Sequence, residues 1–426
     1  METAPEYTFD LIVAGGGTAG AAAALSAARE GLSVLLVEAA GALGGAAVNC
    51  LVNPFMSAVA KIGGEQVHLC RGLYFEIAKA LDDDNVFFPP HASTWFSEET
   101  LKVVLDRKMS ESGVRVLLHA TLCGARTEGR VLKSVSVATV GGVREFRARA
   151  FIDATGDAML AHYAGCPCQV GRGEDALCQS LTLNFRICNV DTDAFWRTRD
   201  EINALFRKFR ADGRLSCNRR GLLVFRTVIP GVLHFNQTSV IGIDPTDPFA
   251  LSAAEAEARG QVVELFHFLK GNVACFRNAS LAGTASAIGV RESRRIEARH
   301  MLTEEEVLAG VRFEDGIAAC NYPIDIHSPT DSSCRLTMLP EGTYYTIPYR
   351  SLLPRPLDNL VVAGRCVGAT HEAQASLRIM PACIAMGEAA GTAVALALGA
   401  GRHPADVDVA ALRKRLVEKG AFVGQP

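Results

Sequence analysis

Phe9-Asp10-Leu11-Ile12-Val13-Ala14-Gly15-Gly16-Gly17-Thr18-Ala19-Gly20 is the stretch that decides the reading of this chain. An apolar run ends in a glycine cluster, and an Ala-rich segment with helical character follows over residues 19–30. A second apolar run, residues 34–37, ends in Glu38. The order is strand, tight turn, helix, strand, acid. Gly15, Gly17 and Gly20 have the G-x-G-x-x-G spacing of a dinucleotide site. The first glycine permits the turn, the second lets backbone approach a pyrophosphate, and the third lets the helix pack close to the strand. Unpaired N–H groups at the helix start, around Thr18 and Ala19, then face the phosphates. Glu38 follows at the distance where a carboxylate accepts hydrogen bonds from an adenosine ribose. The motif leaves FAD and NAD open, and a ribose-binding acid weighs against NADP.

Directly after Glu38 comes Gly41-Ala42-Leu43-Gly44-Gly45-Ala46-Ala47. Large side chains here would block something lying along the backbone. A plain NAD domain gives no reason for such a loop. FAD does, because its flavin half extends beyond the pyrophosphate. Asn53-Pro54-Phe55-Met56 continues the loop and would skirt the isoalloxazine ring. The alternative is a flexible turn, since glycine pairs are common in turns.

A length of 426 residues points to two domains. With 49% hydrophobic and 21% charged residues, the chain is globular rather than disordered. A net charge of −3 gives no attraction for nucleic acid or an anionic membrane. Arg219-Arg220 and Arg294-Arg295 read as solvated faces or internal ion pairs. Residues 380–400 form the longest apolar stretch. It is rich in Ala and Gly and carries Glu388, so it reads as a buried helix and not a membrane span. No secretory leader is read in the acidic first ten residues, and the thirteen cysteines are irregularly scattered. Both point to reduced thiols in a cytoplasmic protein. His162, Cys166, Cys168 and Cys178 match no zinc spacing, so no metal is expected.

Along the chain, residues 66–81 read as an amphipathic helix ended by Asp82-Asp83-Asp84-Asn85. Residues 97–111 read as another, where Ser97 and Thr100 lack the acid of a full capping box. A short strand at 114–118 precedes a β-meander over 121–125, 131–139 and 143–148. The next strand, 150–153, ends in Ala154-Thr155-Gly156-Asp157, a small-residue turn that brings backbone close to a ligand. Asp157 either belongs to that turn or starts the following helix. From 181 to 344 the texture changes. Strands at 181–187 and 222–229 alternate with helices at 192–210 and 252–268, and Thr303 with Glu306 forms a capping box. Nucleotide-domain texture returns with a buried strand at 360–363 and Gly364-Arg365. A polar loop then leads into Pro381, well placed at the start of the last helix. The expected architecture is α/β. A Rossmann-like domain with a parallel sheet and β-meander spans 1–180 and 345–426, and an inserted α+β substrate domain spans 181–344.

These blocks together resemble the FAD-dependent oxidoreductases of the glutathione-reductase-like superfamily, near the branch of fumarate reductase and succinate dehydrogenase flavoproteins. The likeness rests on the N-terminal G-G-G, L-G-G, A-T-G-D, R-E-S-R-R, Y-P-I-D-I-H, I-P-Y-R-S-L and the terminal A-G-R…A-T-H-E-A-Q-A-S-L-R-I-M-P. The resemblance implies that Gly15, Gly17, Gly20 and Glu38 bind the ADP half of FAD. It implies that Gly44, Gly45 and Ala46 line the pyrophosphate and flavin side, and that Ala154, Thr155 and Gly156 touch the adenosine region. Gly364 and Arg365 stand where many relatives have Gly-Asp near the ribityl chain. Met380, Pro381 and Ala382 should point the last helix at the flavin, whose reduced charge the helix dipole would stabilise. No covalent-flavin histidine shows, so FAD is expected to be noncovalent.

The implied chemistry is hydride transfer between a small polar substrate and flavin. Arg291 can clamp a carboxylate or enolate oxygen, and His327 can exchange the proton. Tyr345, His371 and Arg378 are supporting groups. The bland alternatives are an ion pair of Arg291 with its neighbour Glu292, a packing or capping His327, and a His371 that only braces the loop. A lyase, isomerase or hydratase with redox-neutral FAD is the competing enzyme class, and a flavin-containing RNA-modifying protein or noncatalytic binding module is the third class. No second G-x-G-x-x-G for NAD(P)H and no C-x-x-C occur. Oxygen, a quinone, a carrier flavoprotein or directly bound NAD stay open as the electron acceptor or donor, and so does a homo-oligomer.

Overall fold

A computed structural model describes residues 8–56, 58–81, 95–331 and 333–424. The decisive strand is Thr8–Ala14, and at its end Gly15 turns with φ +94°. A Cβ at Gly15 would lie 2.5 Å from the Ala154 carbonyl oxygen, so both conformation and space require glycine there. Thr8–Ala14 pairs in parallel with Val34–Val37 on one side and with the second half of Gly142–Asp153 on the other. Arg115–Leu117 extends the sheet beyond Val34–Val37, and Leu360–Val362 adds in parallel beside Phe151, Ile152 and Asp153. Apart from the edge strand Arg115–Leu117, these pairing segments are mostly buried and rich in Val, Leu and Ile, as a parallel sheet covered on both faces requires.

The last strand of the expected β-meander and the strand after it are one element. Gly142–Asp153 is continuous for 12 residues. Its first half pairs antiparallel with Val131–Thr139, which pairs in turn with Thr121–Glu128, while its second half joins the parallel sheet.

The two ends of the chain meet on one face of this sheet. The Ala-rich helix Thr18–Arg29 packs against the long helix Met380–Gly399. A Cβ at Gly387 would overlap the Ala19 carbonyl, so a glycine sets this close approach. Met380–Gly399 is long and apolar enough to cross a membrane, but it is the central helix of the core, with 89% of its apolar window buried. Glu388, on this helix, accepts the Leu73 N–H at 3.0 Å.

Two hydrophobic clusters are distinct. The first holds the sheet and both helices just named. The second runs from Leu181 to Ile288 around a sheet of Phe185–Cys188, Leu233–Phe235, Val224–Arg226 and Ser280–Thr284. Residues from Ile296 to Ile326, read above as part of the inserted segment, pack in the first cluster instead. The pairing of Gly316–Cys320 with Tyr345–Pro348 fixes them there.

Three local expectations need correction. Residues 66–81 are not one helix: Glu65–His68 forms a hairpin with Val59–Ile62, and the helix starts at Leu73. Gly72, at φ +58°, breaks the pattern before it. The acidic stop at 82–85 lies outside the described residues. The helix expected over 192–210 divides into Thr192–Arg197 and Arg199–Ala211. Asp157 does not start a helix. Ala158 caps Met159–Tyr163 without a side-chain bond, and the Thr155 hydroxyl accepts the Met159 N–H at 2.9 Å. Elsewhere Ser97 accepts the Thr100 N–H, and Thr303 with Glu306 completes its capping box.

Candidate cofactor and substrate cleft

A cleft with a cavity volume of about 470 Å³ runs from the end of Thr8–Ala14 to the boundary between the two hydrophobic clusters. Its floor is two glycine loops laid backbone to backbone. Gly44 N–H donates to the Gly16 carbonyl at 2.8 Å, and a Cβ on Gly45 would lie 2.7 Å from the Gly17 Cα. Gly15, Gly17, Thr18 and Ala19 line this end, followed by Gly45 and Ala46. No side chain caps the helix Thr18–Arg29, so its first-turn N–H groups are left for a ligand. Glu38 lines the same end. Its two carboxylate oxygens accept the Gly16 and Ala40 N–H groups at 2.6 and 2.7 Å, and each oxygen keeps further lone-pair capacity.

Ala154, Thr155 and Gly156 form the adjoining wall with Gly364 and Arg365. Asp153 lies beneath, fully buried, and accepts bonds from the Thr155 N–H and hydroxyl and from the Ala161 N–H. Arg365 is tied to the Gly156 carbonyl at 2.7 Å and to Asp157 at 2.6 Å, and Asp157 also accepts from Ser293. Asp157 is thus a brace for this wall.

Four residues expected at the cofactor do not line the cleft. Gly20 packs against the Gly15 carbonyl. Gly44 carries the turn, with Val48 behind it. Pro381 and Ala382 are buried, and the first turn of Met380–Gly399 offers Met380 and Cys383 instead, preceded by Ile379.

At the other end Arg291, His327 and Arg378 come together from three separate segments. The Arg291 guanidinium donates to the Ser180 carbonyl at 2.6 Å and the Thr182 hydroxyl at 2.8 Å, with Asn236 Oδ1 at 3.3 Å. It does not pair with Glu292. Arg378 donates to the Asp325 carbonyl at 3.0 Å and to Gln179 at 3.3 Å, and its buried Nε has no protein partner. Asp325 and His327 lie two apart on the strand Ile324–His327 and so share a face, with Asp325 Oδ2 3.5 Å from His327 Nε2. The Tyr322 hydroxyl approaches the same oxygen at 3.4 Å, and the Cys334 thiol donates to the other at 3.0 Å.

Electrostatically this end is short of negative charge. Burial, then the neighbouring Arg219 and Arg378, disfavour the charge on Arg291 and push its pKa well down. Burial, then Arg291, lowers His327 to about 3. Burial alone would raise the Asp325 carboxyl, but His327 and Arg378 hold it well below the usual carboxylate range. Asp325 is therefore ionised and His327 neutral at neutral pH.

Tyr345 and His371, expected as supporting groups, are both turned away. Tyr345 is buried, with its hydroxyl 2.8 Å from Ser376 Oγ. The His371 Nδ1 lies 2.8 Å from the fully buried Glu292 carboxylate, which also pairs with Arg295. Arg295 is thus an internal ion pair, one of the two readings given for its basic cluster. Sequence reasoning missed Asp325, although its spacing to His327 on a strand carried the signal. It also missed Tyr322, although that residue opens the same Y-P-I-D-I-H block as His327, and it missed Thr182 and Asn236, which sit in segments with no pattern pointing to a site.

The fit to FAD can be judged on this geometry. Side chains at Gly15, Gly16 and Gly45 would collide with their neighbours, Gly17 opens on the cleft, and an uncapped helix start adjoins them. Asn53 and Asn184 each line the cleft with a buried side-chain oxygen that has no protein partner. A long, polar, phosphate-bearing ligand suits these features.

Among solved structures, a geranylgeranyl bacteriochlorophyll reductase-like protein from Thermoplasma acidophilum is 12% identical. Its match covers 98% of this chain and 85% of that one, with a TM-score of 0.48. The p-nitrophenol 4-monooxygenase PnpA from Pseudomonas putida DLL-E4 is 11% identical, covering 97% and 85%, with a TM-score of 0.48. These likenesses are too distant to carry an argument about activity. No curated protein matches the chain. The family model described as FAD dependent oxidoreductase matches residues 10–416. By that match, spanning nearly the whole sequence, the chain belongs to the FAD-dependent oxidoreductase family and is an enzyme that uses FAD.

Proposed function

We propose that the protein transfers a hydride between a small organic anion, such as a carboxylate, and FAD held noncovalently in the cleft. The observation that carries this reading is the unbalanced charge at the far end. Arg291 and Arg378 face the cleft with Arg219 close behind, and Asp325 is the carboxylate among them. Buried cations without enough counter-charge are costly, and an anionic ligand is the direct remedy. The unpartnered Nε of Arg378 supports the same reading.

Bound FAD would supply the hydride-accepting or hydride-donating centre. The residues of this chain supply everything else. Gly15, Gly17 and Gly45 let backbone approach the pyrophosphate, and the start of the helix Thr18–Arg29 faces its charge. Arg291 has five N–H donors, of which three are engaged by Ser180, Thr182 and Asn236, so it is oriented and still has donors for the anion. Arg378 presents its free Nε to the same ligand. Asp325, with His327 beside it, is the charged acceptor that faces the reacting end of the substrate. Phe225, Tyr322 and Met56 wall the cleft and limit water.

The experiment is an anaerobic titration of the yellow protein with a panel of hydroxy, amino and saturated organic acids. The reduced protein is then exposed to unsaturated and keto acids. The reading expects at least one acid to bleach the flavin band at roughly 450 nm, or at least one to restore it. Failure of every acid in both directions, with neutral alcohols or amines active instead, overturns the assignment to an anion.

A further inference from the structure

Sequence gives Arg219 no part in the site, yet its guanidinium closes the back of it. Arg219 Nη1 lies 3.1 Å from His327 Nδ1. Its Nη2 lies 3.1 Å from the Thr182 hydroxyl and 3.4 Å from Asn236 Oδ1, the two side chains that also hold Arg291.

A guanidinium donates hydrogen bonds and accepts none. The Arg219–His327 contact therefore forces Nδ1 to be the acceptor, without its own hydrogen. A neutral imidazole then carries its hydrogen on Nε2, the nitrogen facing Asp325 Oδ2 at 3.5 Å. Protonating Nδ1 would set two N–H donors against each other across 3.1 Å. We propose that Arg219 is a positioning residue that locks His327 as the neutral Nε2–H tautomer. His327 thereby serves as a hydrogen-bond donor to Asp325 and is not the carrier of the proton.

The surroundings agree. Arg219 stands at Nδ1 and Asp325 at Nε2, Arg219 and Arg291 both disfavour a positive charge on the ring, and Arg378 lies close enough to act on both Arg291 and Asp325. The nearby Cys334 thiol and Tyr322 hydroxyl are held protonated by burial and by Asp325. Asp325, on the Nε2 side of the ring, stays ionised and is the acceptor that this tautomer faces. The proposal rests on the anion-site reading for its place in the reaction. The tautomer itself is measured without any substrate, so the two can fail separately.

The test uses the full-length, FAD-loaded protein with ¹⁵N-labelled histidine and long-range ¹H–¹⁵N spectra between about pH 5 and about pH 8. His327 is assigned by the signals lost in His327→Gln. The wild type should show one protonated and one unprotonated ring nitrogen for His327, with the hydrogen on Nε2, unchanged across that range. In Arg219→Met, or in Arg219→Gln if the first does not retain FAD, His327 should begin to exchange tautomers and titrate closer to the ordinary imidazole value. A wild-type His327 that titrates within this window, or carries its hydrogen on Nδ1, overturns the proposal. An unchanged His327 spectrum in a folded, yellow Arg219 variant removes Arg219 from it.

Discussion

Gln374 Nε2 donates to the main-chain carbonyl of Arg291 at 2.9 Å, and the same amide nitrogen reaches the Arg365 carbonyl at 3.4 Å. One buried side chain therefore ties the arginine at the far end of the cleft to the loop beside Gly364. Gln179 continues the link: its amide meets Gln374, and its oxygen accepts from the His327 N–H and from Arg378. Replacing Gln374 by Leu leaves two carbonyls and the Gln179 amide without partners. A loss of about 1–3 kcal/mol in stability is expected. Because both walls of the cleft loosen together, FAD should also dissociate more readily, on the order of ten-fold, as read by flavin fluorescence on dilution. A variant with lower stability but unchanged FAD affinity would show that the link does not shape the cleft.

Gly45 sits at φ +50°, and a Cβ there would lie 2.7 Å from the Gly17 Cα. Gly45→Val should push the two glycine loops apart while leaving the sheet beneath intact. The expected protein is folded by circular dichroism but carries at least about ten-fold less FAD, corresponding to roughly 1.4 kcal/mol or more. Full yellow colour in Gly45→Val would mean that these loops do not cradle the pyrophosphate.

Glu388 is buried inside the long helix, and burial raises its pKa to about 7. The unfolded carboxyl titrates near its ordinary value of about 4.3. Between these values the native state holds a proton that the unfolded state has released, so stability falls as pH rises through the native pKa. Glu388→Gln keeps an acceptor for the Leu73 N–H and removes the ionisation. Its stability relative to wild type should rise from near pH 4 to pH 8 by about 1–3 kcal/mol, read from denaturant midpoints. A pH-independent difference between the two proteins would refute the buried titration.

The parts of the fold legible in sequence are those fixed by neighbours in the chain. The turn at Gly15, the acid at Glu38, the Ser97 cap and the Thr303–Glu306 box depend on a few adjacent residues, and each is where its local chemistry puts it. The helix read over 66–81 failed because Leu69, Leu73 and Ile77 recur at helical spacing although Gly72 interrupts the run and 65–68 pairs with a neighbouring hairpin strand. The fused strand Gly142–Asp153 was hidden because its two halves serve different partners. In the site, Arg291, His327 and Arg378 were legible as chemical types, but not their partners. Glu292 is next to Arg291 in sequence yet pairs with Arg295 and His371, in an irregular stretch without a periodicity to show its direction. Arg219 lies in an irregular segment, where no periodicity shows which way a side chain faces.

The central claim is that a cationic site built on Arg291 and Arg378 adjoins the flavin. It is tested most directly by titrating the oxidised, FAD-loaded protein with acetate and benzoate while recording the flavin absorption spectrum, in wild type and in Arg291→Met. A saturable spectral change is expected in the wild type, with an apparent affinity at least about ten-fold weaker in the variant, equivalent to roughly 1.4 kcal/mol or more. No saturable change with either carboxylate, or identical titrations for the two proteins, would contradict the account.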